Sequence, residues 1–364
     1  MTELRKVLWF NWRDLKNPNA GGAEVFTHEV AKRLVRRGWS VTLFTSRFDG
    51  AASEEQLDGV EVVRRGGRFR VYHRAKDYAR THLVDFDIVV DEINTRPFMT
   101  PKFVRNKPIV ALIHQLAKEY WFYETPWPIS WIGYYYLERA WLENYLGVKT
   151  ITVSESTRSD LTSLGFTDIH TVPEGLSIPP SDTIPEKETD PTLVFLGRLK
   201  RVKKPEHAIW AFELIRRELP ETKLWIIGDG YLRKKLQDMA IRGVEFKGRV
   251  EEYEKVRLIS RAHVLLYPAV REGWGLSISE ANARGTPAVG YVVPGVKDAI
   301  KDGQTGFLVE PDDWRAMASK ALILLKDEKL RYAMANRSIA SARQFDWGTT
   351  TTRFMEIVQP LGLS

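Results

Sequence analysis

The chain has 364 residues, long enough for two domains, because single cores stop growing at roughly 250–300 residues. Its 43% hydrophobic and 28% charged content is that of a soluble globular protein, and the absence of cysteine excludes disulfides and thiolate metal sites. A formal charge of +7 favours acidic partners such as nucleotides, phospholipid headgroups or nucleic acid, while no apolar run nears the ~18 residues of a membrane span. The chain enters a strand-like run within a few residues of its start, with no charged-then-apolar leader, so a cytoplasmic protein is expected.

Short β-rich runs alternate with amphipathic helical ones throughout. Strands are predicted at Val7–Trp12, Val41–Ser46, Val60–Val63, Ile88–Ile93, Ile109–His114 and Thr150–Ser154. A second set follows at Leu193–Leu199, Leu224–Gly228, Val244–Lys247, Val264–Tyr267, Ala288–Val292 and Phe307–Val309. Helical patterns such as Glu24–Arg37, Lys204–Glu218 and Asp312–Lys326 fall between them. The alternation predicts an α/β fold of parallel sheets with helices on both faces. Ile178–Pro191, rich in proline and acids and without periodicity, reads as a linker dividing two doubly wound halves. Ligands of such sheets bind outside the carboxyl ends of the strands, so a cleft between two facing halves is the expected site.

In the first half, the loop Asn11–Glu24 carries Gly21-Gly22 at a helix start, where backbone can approach a phosphate or sugar closely. It lacks the spacing of a dinucleotide fingerprint or a Walker loop. Arg64–Lys76 is basic and free of acids; it reads either as a solvated face or as a mobile loop meeting an anionic surface. His114 ends a buried-looking strand; a lone histidine is more often a core or edge residue, but the carboxyl end of a strand is where α/β sites lie. Tyr120–Tyr145 then holds 11 of the chain's 41 aromatic residues, where even spreading would give about three. Such density suits a membrane–water interface or a sugar-stacking surface as well as a core helix. Tyr134, Tyr135 and Tyr136 cannot all point inward from one helix.

In the second half, Gly197-Arg198 ends a strand and Lys203 lies five residues on, before a helix with Pro205 in its first turn. A guanidinium fork and an ammonium together neutralise a diphosphate. Loops at Gly228-Asp229-Gly230 and Gly248-Arg249 also follow strands and are candidate neighbours of a base and ribose. After the strand Val264–Tyr267 comes Glu272-Gly273-Trp274-Gly275-Leu276, then a helix predicted from Ser277 and containing Glu280. A helix start behind a glycine turn suits a phosphate, with Glu272 and Glu280 holding hydroxyls on either side. The same residues also fit a capping box, in which Ser277 caps the helix and Glu280 reaches back to its start.

Taken in order, Gly21-Gly-Ala-Glu24, Val172-Pro-Glu-Gly175, Gly197–Lys203, Gly228-Asp-Gly230, Glu272–Val289 and Pro294–Val309 resemble the family-4 retaining glycosyltransferases (glycosyl transferases group 1) over nearly the whole chain. The resemblance implies the GT-B fold: two facing Rossmann-like domains with parallel sheets and a cleft between them. Residues 1–177 would form the acceptor-side domain, joined by a C-terminal helix at about 346–364, and residues 178–345 the nucleotide-sugar domain. It implies that Arg198 and Lys203 bind the donor diphosphate and stabilise the leaving group. Glu280 would hold the ribose and Glu272 the transferred sugar, with amides near Gly275 and Leu276 on the phosphate and Gly273, Trp274 and Gly228 completing the donor site. Gly22 would approach the donor from the other domain, and His114 would sit beside the reacting sugar. No metal and no cofactor is implied. Glu174 stands where the family pattern has Asn, Trp274 where Phe is commoner, and Lys204 where Gly often follows.

The activity expected is transfer of a hexose from a nucleoside-diphosphate sugar, UDP-sugar before GDP-mannose, to an acceptor hydroxyl with retention. The acceptor expected is a lipid-linked or polysaccharide intermediate, with the protein peripheral at the inner face of the membrane. A soluble acceptor, a non-hydrolysing nucleotide-sugar epimerase and, more distantly, a basic nucleic-acid-binding protein are the alternatives. Front-face and double-displacement routes both remain compatible with two carboxylates.

Overall fold

Val7, Leu8, Trp9 and Phe10 are wholly buried, the pattern of a strand covered by helices on both faces. They form the centre of a sheet in a computed structural model that describes residues 5 to 362. Its strands are β1 (Lys6–Phe10), β2 (Ser40–Thr45), β3 (Glu54–Leu57), β4 (Val60–Arg64), β5 (Ile88–Ile93), β6 (Ile109–Ile113), β7 (Lys149–Thr152) and β8 (Ile169–Thr171), in the order β3-β4-β2-β1-β5-β6-β7-β8. Only β3 runs antiparallel to its neighbour. A second sheet contains β9 (Thr192–Leu196), β10 (Lys223–Ile227), β11 (Val244–Gly248), β12 (Val264–Tyr267), β13 (Ala288–Tyr291) and β14 (Gly306–Val309), all parallel, in the order β11-β10-β9-β12-β13-β14.

Each sheet belongs to its own compact unit. The first takes in the chain through Trp121, Trp127–Gly175 and everything from Asp346 onward; the second takes in Phe122–Pro126 and Leu176–Phe345. The boundary thus falls at Gly175, and the short excursion Phe122–Pro126 has no counterpart in the sequence reading. The C-terminal helix, Trp347–Val358, packs on the first unit through the stack of Phe354 on Trp9, with ring centroids 5.2 Å apart. Asp346 caps it, accepting from the amides of Gly348 and Thr349. Residues 363 and 364 of the expected terminal segment lie outside the described residues.

Two expectations need correcting. Ile178–Pro191 is irregular, yet it is bound to the second unit and does not hang between units: Ile178 is buried in that core, Ser181 N donates to Ala283 O, and Glu188 N donates to Arg261 O. Lys187 donates to Ser260 O and Thr286 Oγ1, and burial, with Arg331 and Arg284 near, pushes its ammonium down to about 7. Second, several apolar runs outlast their strands. β1, β6 and β9 stop short of Asn11-Trp12, His114 and Leu199, and those last residues form the loops that build the sites.

Candidate active site

Sheet topology locates both candidate regions. In the second unit the chain moves outward from β9 through β10 to β11, then returns to place β12 on the other side of β9. The crevice at such a reversal is where open α/β sheets bind ligands. Here it is flanked by the loops after β9 and β12, tied together by Val270 N donating to Val202 O at 2.9 Å.

The loop after β9 passes Gly197 and Arg198, tightens into a 3-10 turn at Arg201–Lys203 and enters the helix Pro205–Glu218 through Lys204, which adopts φ +43°. Arg198 is exposed, and its guanidinium has no hydrogen-bond or ion-pair partner among the described residues. Lys203 faces the other loop: its ammonium pairs with Glu272 and donates to Tyr267 Oη at 3.0 Å, while Tyr267 Oη donates to Glu272 at 3.1 Å. Lys204 turns away to pair with Asp312.

The turn before the next helix corrects the capping-box reading. The helix is Leu276–Ala283, its N-cap is Gly275 at φ +85°, and no side chain caps it. Glu280 does not reach back to the start; its carboxylate accepts from Lys255 Nζ at 2.8 Å. Gly295 backs the turn so closely that a Cβ there would overlap the Glu272 backbone. Trp274 is buried, its Nε1 donating to Ser279 Oγ at 3.1 Å and its ring edge-on to Phe345. The turn therefore presents the Glu272 carboxylate and the backbone of Gly273, Gly275 and Leu276. Gly228 lies at the next strand end, where a Cβ would collide with the Gly197 carbonyl. Close backbone approach thus sets the spacing of the loops after β9 and β10.

In the first unit the reversal falls between β1 and β5. There a buried polar network centres on Glu92, which the sequence reading missed. One carboxylate oxygen accepts from Trp9 Nε1 at 2.8 Å and from Thr27 Oγ1; the other accepts from His114 Nε2 at 3.1 Å. His114 Nδ1 meets Glu174 at 3.3 Å. Both ring nitrogens face carboxylates, which accept only, so the ring carries two N–H groups and a positive charge. Burial opposes that charge, but hydrogen bonds to Glu174 and Glu92 outweigh it and hold the imidazolium at about 10. In this arrangement His114 has no lone pair to offer as a base. Phe26 packs edge-on against its ring. Gly22 opens the helix Gly22–Arg36, whose start is fixed by Glu24 accepting from Gly21 N at 2.6 Å and pairing with Arg13. The signal for Glu92 lay in plain view: two acids, Asp91 and Glu92, stand inside a six-residue strand that is buried throughout.

The basic stretch also differs from expectation. Arg64 is not part of a mobile loop: it is buried at the end of β4, forked onto Asp14 at 2.7 and 3.0 Å and paired with Glu55. Val71–His82 is helical. The aromatic stretch breaks into the helices Tyr120–Glu124, Ile129–Ile132 and Glu138–Leu142 around a π-turn at Gly133–Leu137. Trp127, Trp131, Tyr135 and Tyr136 are exposed, whereas Trp121 and Tyr145 are buried. Among the described residues no helix is long and apolar enough to cross a membrane.

Two parallel-sheet units, each with its polar residues at the strand-order reversal, define an α/β protein of the GT-B type. The family described as Glycosyl transferases group 1 matches residues 181–341, and Glycosyltransferase Family 4 matches residues 20–178. The chain belongs to the family-4 GT-B glycosyltransferases. It is 31% identical to a glycogen synthase of Mycobacterium tuberculosis across 57% of this chain and 53% of that protein, so it spans about half the length of that relative. It is 26% identical to the D-inositol 3-phosphate glycosyltransferase of Corynebacterium urealyticum across 94% of this chain and 91% of the relative. Among solved structures, the sucrose-phosphate synthase of Thermosynechococcus elongatus has a TM-score of 0.81 at 17% identity, over 98% of this chain and 99% of that one.

Proposed function

We propose that the protein transfers a hexose from a nucleoside-diphosphate sugar to an acceptor hydroxyl, with retention at the anomeric carbon and without a metal. The observation that carries this reading is the charge arrangement at the β9/β12 reversal. An unpartnered guanidinium, Arg198, and the Lys203 ammonium stand with the Glu272 carboxylate beside a glycine-capped helix start. In the free protein Glu272 balances Lys203. Donor binding exchanges that partner for a phosphate oxygen and releases Glu272 to accept from hydroxyls of the transferred sugar. As the glycosidic bond breaks, charge grows on the departing diphosphate, and fixed cations stabilise it in the place of Mg²⁺. The amides at Gly275 and Leu276 face phosphate, Glu280 takes the ribose from its place beside Lys255, and Gly228, Gly273 and the backbone at Trp274 shape the pocket. Gly22 and His114 belong to the first unit, and their parts, near the donor and the reacting sugar, rest on the resemblance alone.

UDP-sugar is the first donor and GDP-mannose the second, which a thermal-shift panel of UDP-, GDP- and ADP-sugars separates, since a ligand that binds only the native state raises its melting temperature. For the acceptor we favour a lipid-linked or polysaccharide intermediate met at the cytoplasmic face of a membrane, supported by the exposed aromatic residues between Trp127 and Tyr136. Arg198→Ala and Lys203→Ala are each expected to lower turnover by ~10²–10³-fold while the protein stays folded. Turnover close to wild type in both variants overturns the assignment.

A further inference from the structure

The sequence marks Arg64–Lys76 as basic, and the structure neutralises some of these cations and turns others, with Arg47, toward a cleft. Those behind the sheet edge are neutralised: Arg64 by Asp14 and Glu55, and Arg65 by Glu54. Arg70, at the front, is not. Arg47, Arg70 and Arg74 line a cleft of about 520 Å³ with Gly66, Gly67 and one acid, Asp49. The side chains of Arg47 and Arg70 have no hydrogen-bond or ion-pair partner among the described residues. Among the described residues Arg74 pairs with Asp77 alone, at 3.5 Å on the exposed helix face. With Arg74 balanced by Asp77, Arg47 and Arg70 against Asp49 leave a net positive charge in one concavity.

The cleft is a built feature. It lies beyond the carboxyl ends of β2 and β4, and its walls are joined by Arg47 N donating to Gly66 O at 2.8 Å. Gly66 adopts φ +66°, and a Cβ there would lie 2.9 Å from the Arg70 carbonyl carbon and 3.0 Å from Val71 N. Glycine therefore lets the chain fold back tightly enough to bring Arg70 to the rim. Cations left unpaired in a concavity repel one another, and an anion with several acceptor oxygens removes that cost. Guanidinium forks match phosphate geometry. Strand order adds a distance: β2, β1 and β5 are successive neighbours, so the Arg47 loop and Glu92 stand two strand spacings apart, roughly 10 Å.

We propose that this cleft is a phosphate subsite for the acceptor. Arg47 and Arg70 grip a phosphate group that the acceptor carries, and the acceptor's hydroxylated part extends along the strand ends toward the β1/β5 reversal. The proposal rests on the glycosyltransferase reading for the word acceptor; the phosphate site itself stands on the cleft.

The test separates the two. Inorganic phosphate is titrated calorimetrically at low salt into Arg198→Ala/Lys203→Ala protein, which lacks the donor cations, and into the same protein with Arg47→Ala and Arg70→Ala added. The expected result is saturable binding in the first and at least a tenfold loss in the second. Arg47→Lys/Arg70→Lys, which keeps the charge but not the fork, is expected to fall between them. No saturable phosphate binding, or binding indifferent to Arg47 and Arg70, overturns the proposal. Phosphatidylglycerol vesicles form a further arm. Binding to them that depends on these arginines but that inorganic phosphate does not compete away identifies a diffuse membrane contact and likewise overturns the subsite. UDP is titrated in parallel into wild type and Arg47→Ala/Arg70→Ala. Equal affinity in both supports separate sites. Loss of UDP binding in the arginine variant places these residues on the donor and overturns the proposal. If wild type binds phosphate at the cleft but not UDP, the donor reading fails and the phosphate site stands.

Discussion

Glu174 shows how one side chain changes the work of another. An Asn there would offer His114 a neutral carbonyl. The Glu offers a second buried carboxylate and so holds the ring as an imidazolium between Glu92 and Glu174. The histidine's folded pKa is raised above its usual 6.5 to about 10, so its stabilising contribution is fully present below pH 6.5 and is lost as pH rises through 10. Glu174→Gln keeps an acceptor but removes the charge. It is expected to lower unfolding free energy by about 2 kcal/mol at pH 6, with the gap to wild type narrowing toward pH 10. Urea denaturation at both pH values checks this, and a gap that does not change with pH contradicts it. At this scale the sequence singles out Arg198, Lys203 and Glu272 as donor candidates, because chemistry and position coincide there. It was silent on which of them pair, because the Lys203–Glu272 contact joins residues 69 apart in sequence.

At the level of elements, both regions are made from the residues just past the strand ends. Apolar periodicity overran those ends because Trp12 and Leu199 continue the hydrophobic pattern after the backbone has left the sheet. The capping box that the turn before Leu276–Ala283 also fits does not form, for a related reason. Ser277 and Glu280 have the right spacing, but Gly275 in the left-handed region starts the helix one residue earlier and Lys255 takes the glutamate. Backbone contact governs the neighbouring loops. At Gly228, φ is +126° and the space for a Cβ is filled by the Gly197 carbonyl. Gly228→Ala is therefore expected to destabilise the second unit by about 2 kcal/mol or more. By displacing the Gly197-Arg198 loop it should also weaken donor binding. Melting and UDP titration of the variant measure the two effects; unchanged values for both would show that the loops have slack.

For the molecule as a whole, charge and aromatic exposure act together. A formal +7 spread over 364 residues is modest, yet the first unit adds to it an exposed aromatic group, Trp127, Trp131, Tyr135 and Tyr136. Cations attract anionic headgroups and interfacial aromatics anchor at their level. Co-sedimentation with vesicles rich in phosphatidylglycerol is expected at low salt, and release is expected as the Debye length shrinks from about 30 Å at 0.01 M to about 3 Å at 1 M. Absence of binding at low salt removes the membrane from the proposed function.

The sequence by itself determined the alternation of strand and helix, hence two parallel sheets, and it marked the loops whose glycines and charges have no core role. These are local properties, written in periodicity and in residues placed where an apolar pattern breaks. Tertiary structure decided the partners: Lys203 with Glu272, Glu280 with Lys255, His114 between Glu92 and Glu174, Arg64 withdrawn into the core while Arg47 and Arg70 stay outside. Strand order brings those residues together from distant parts of the chain, and that order is set by how whole elements bury their apolar faces.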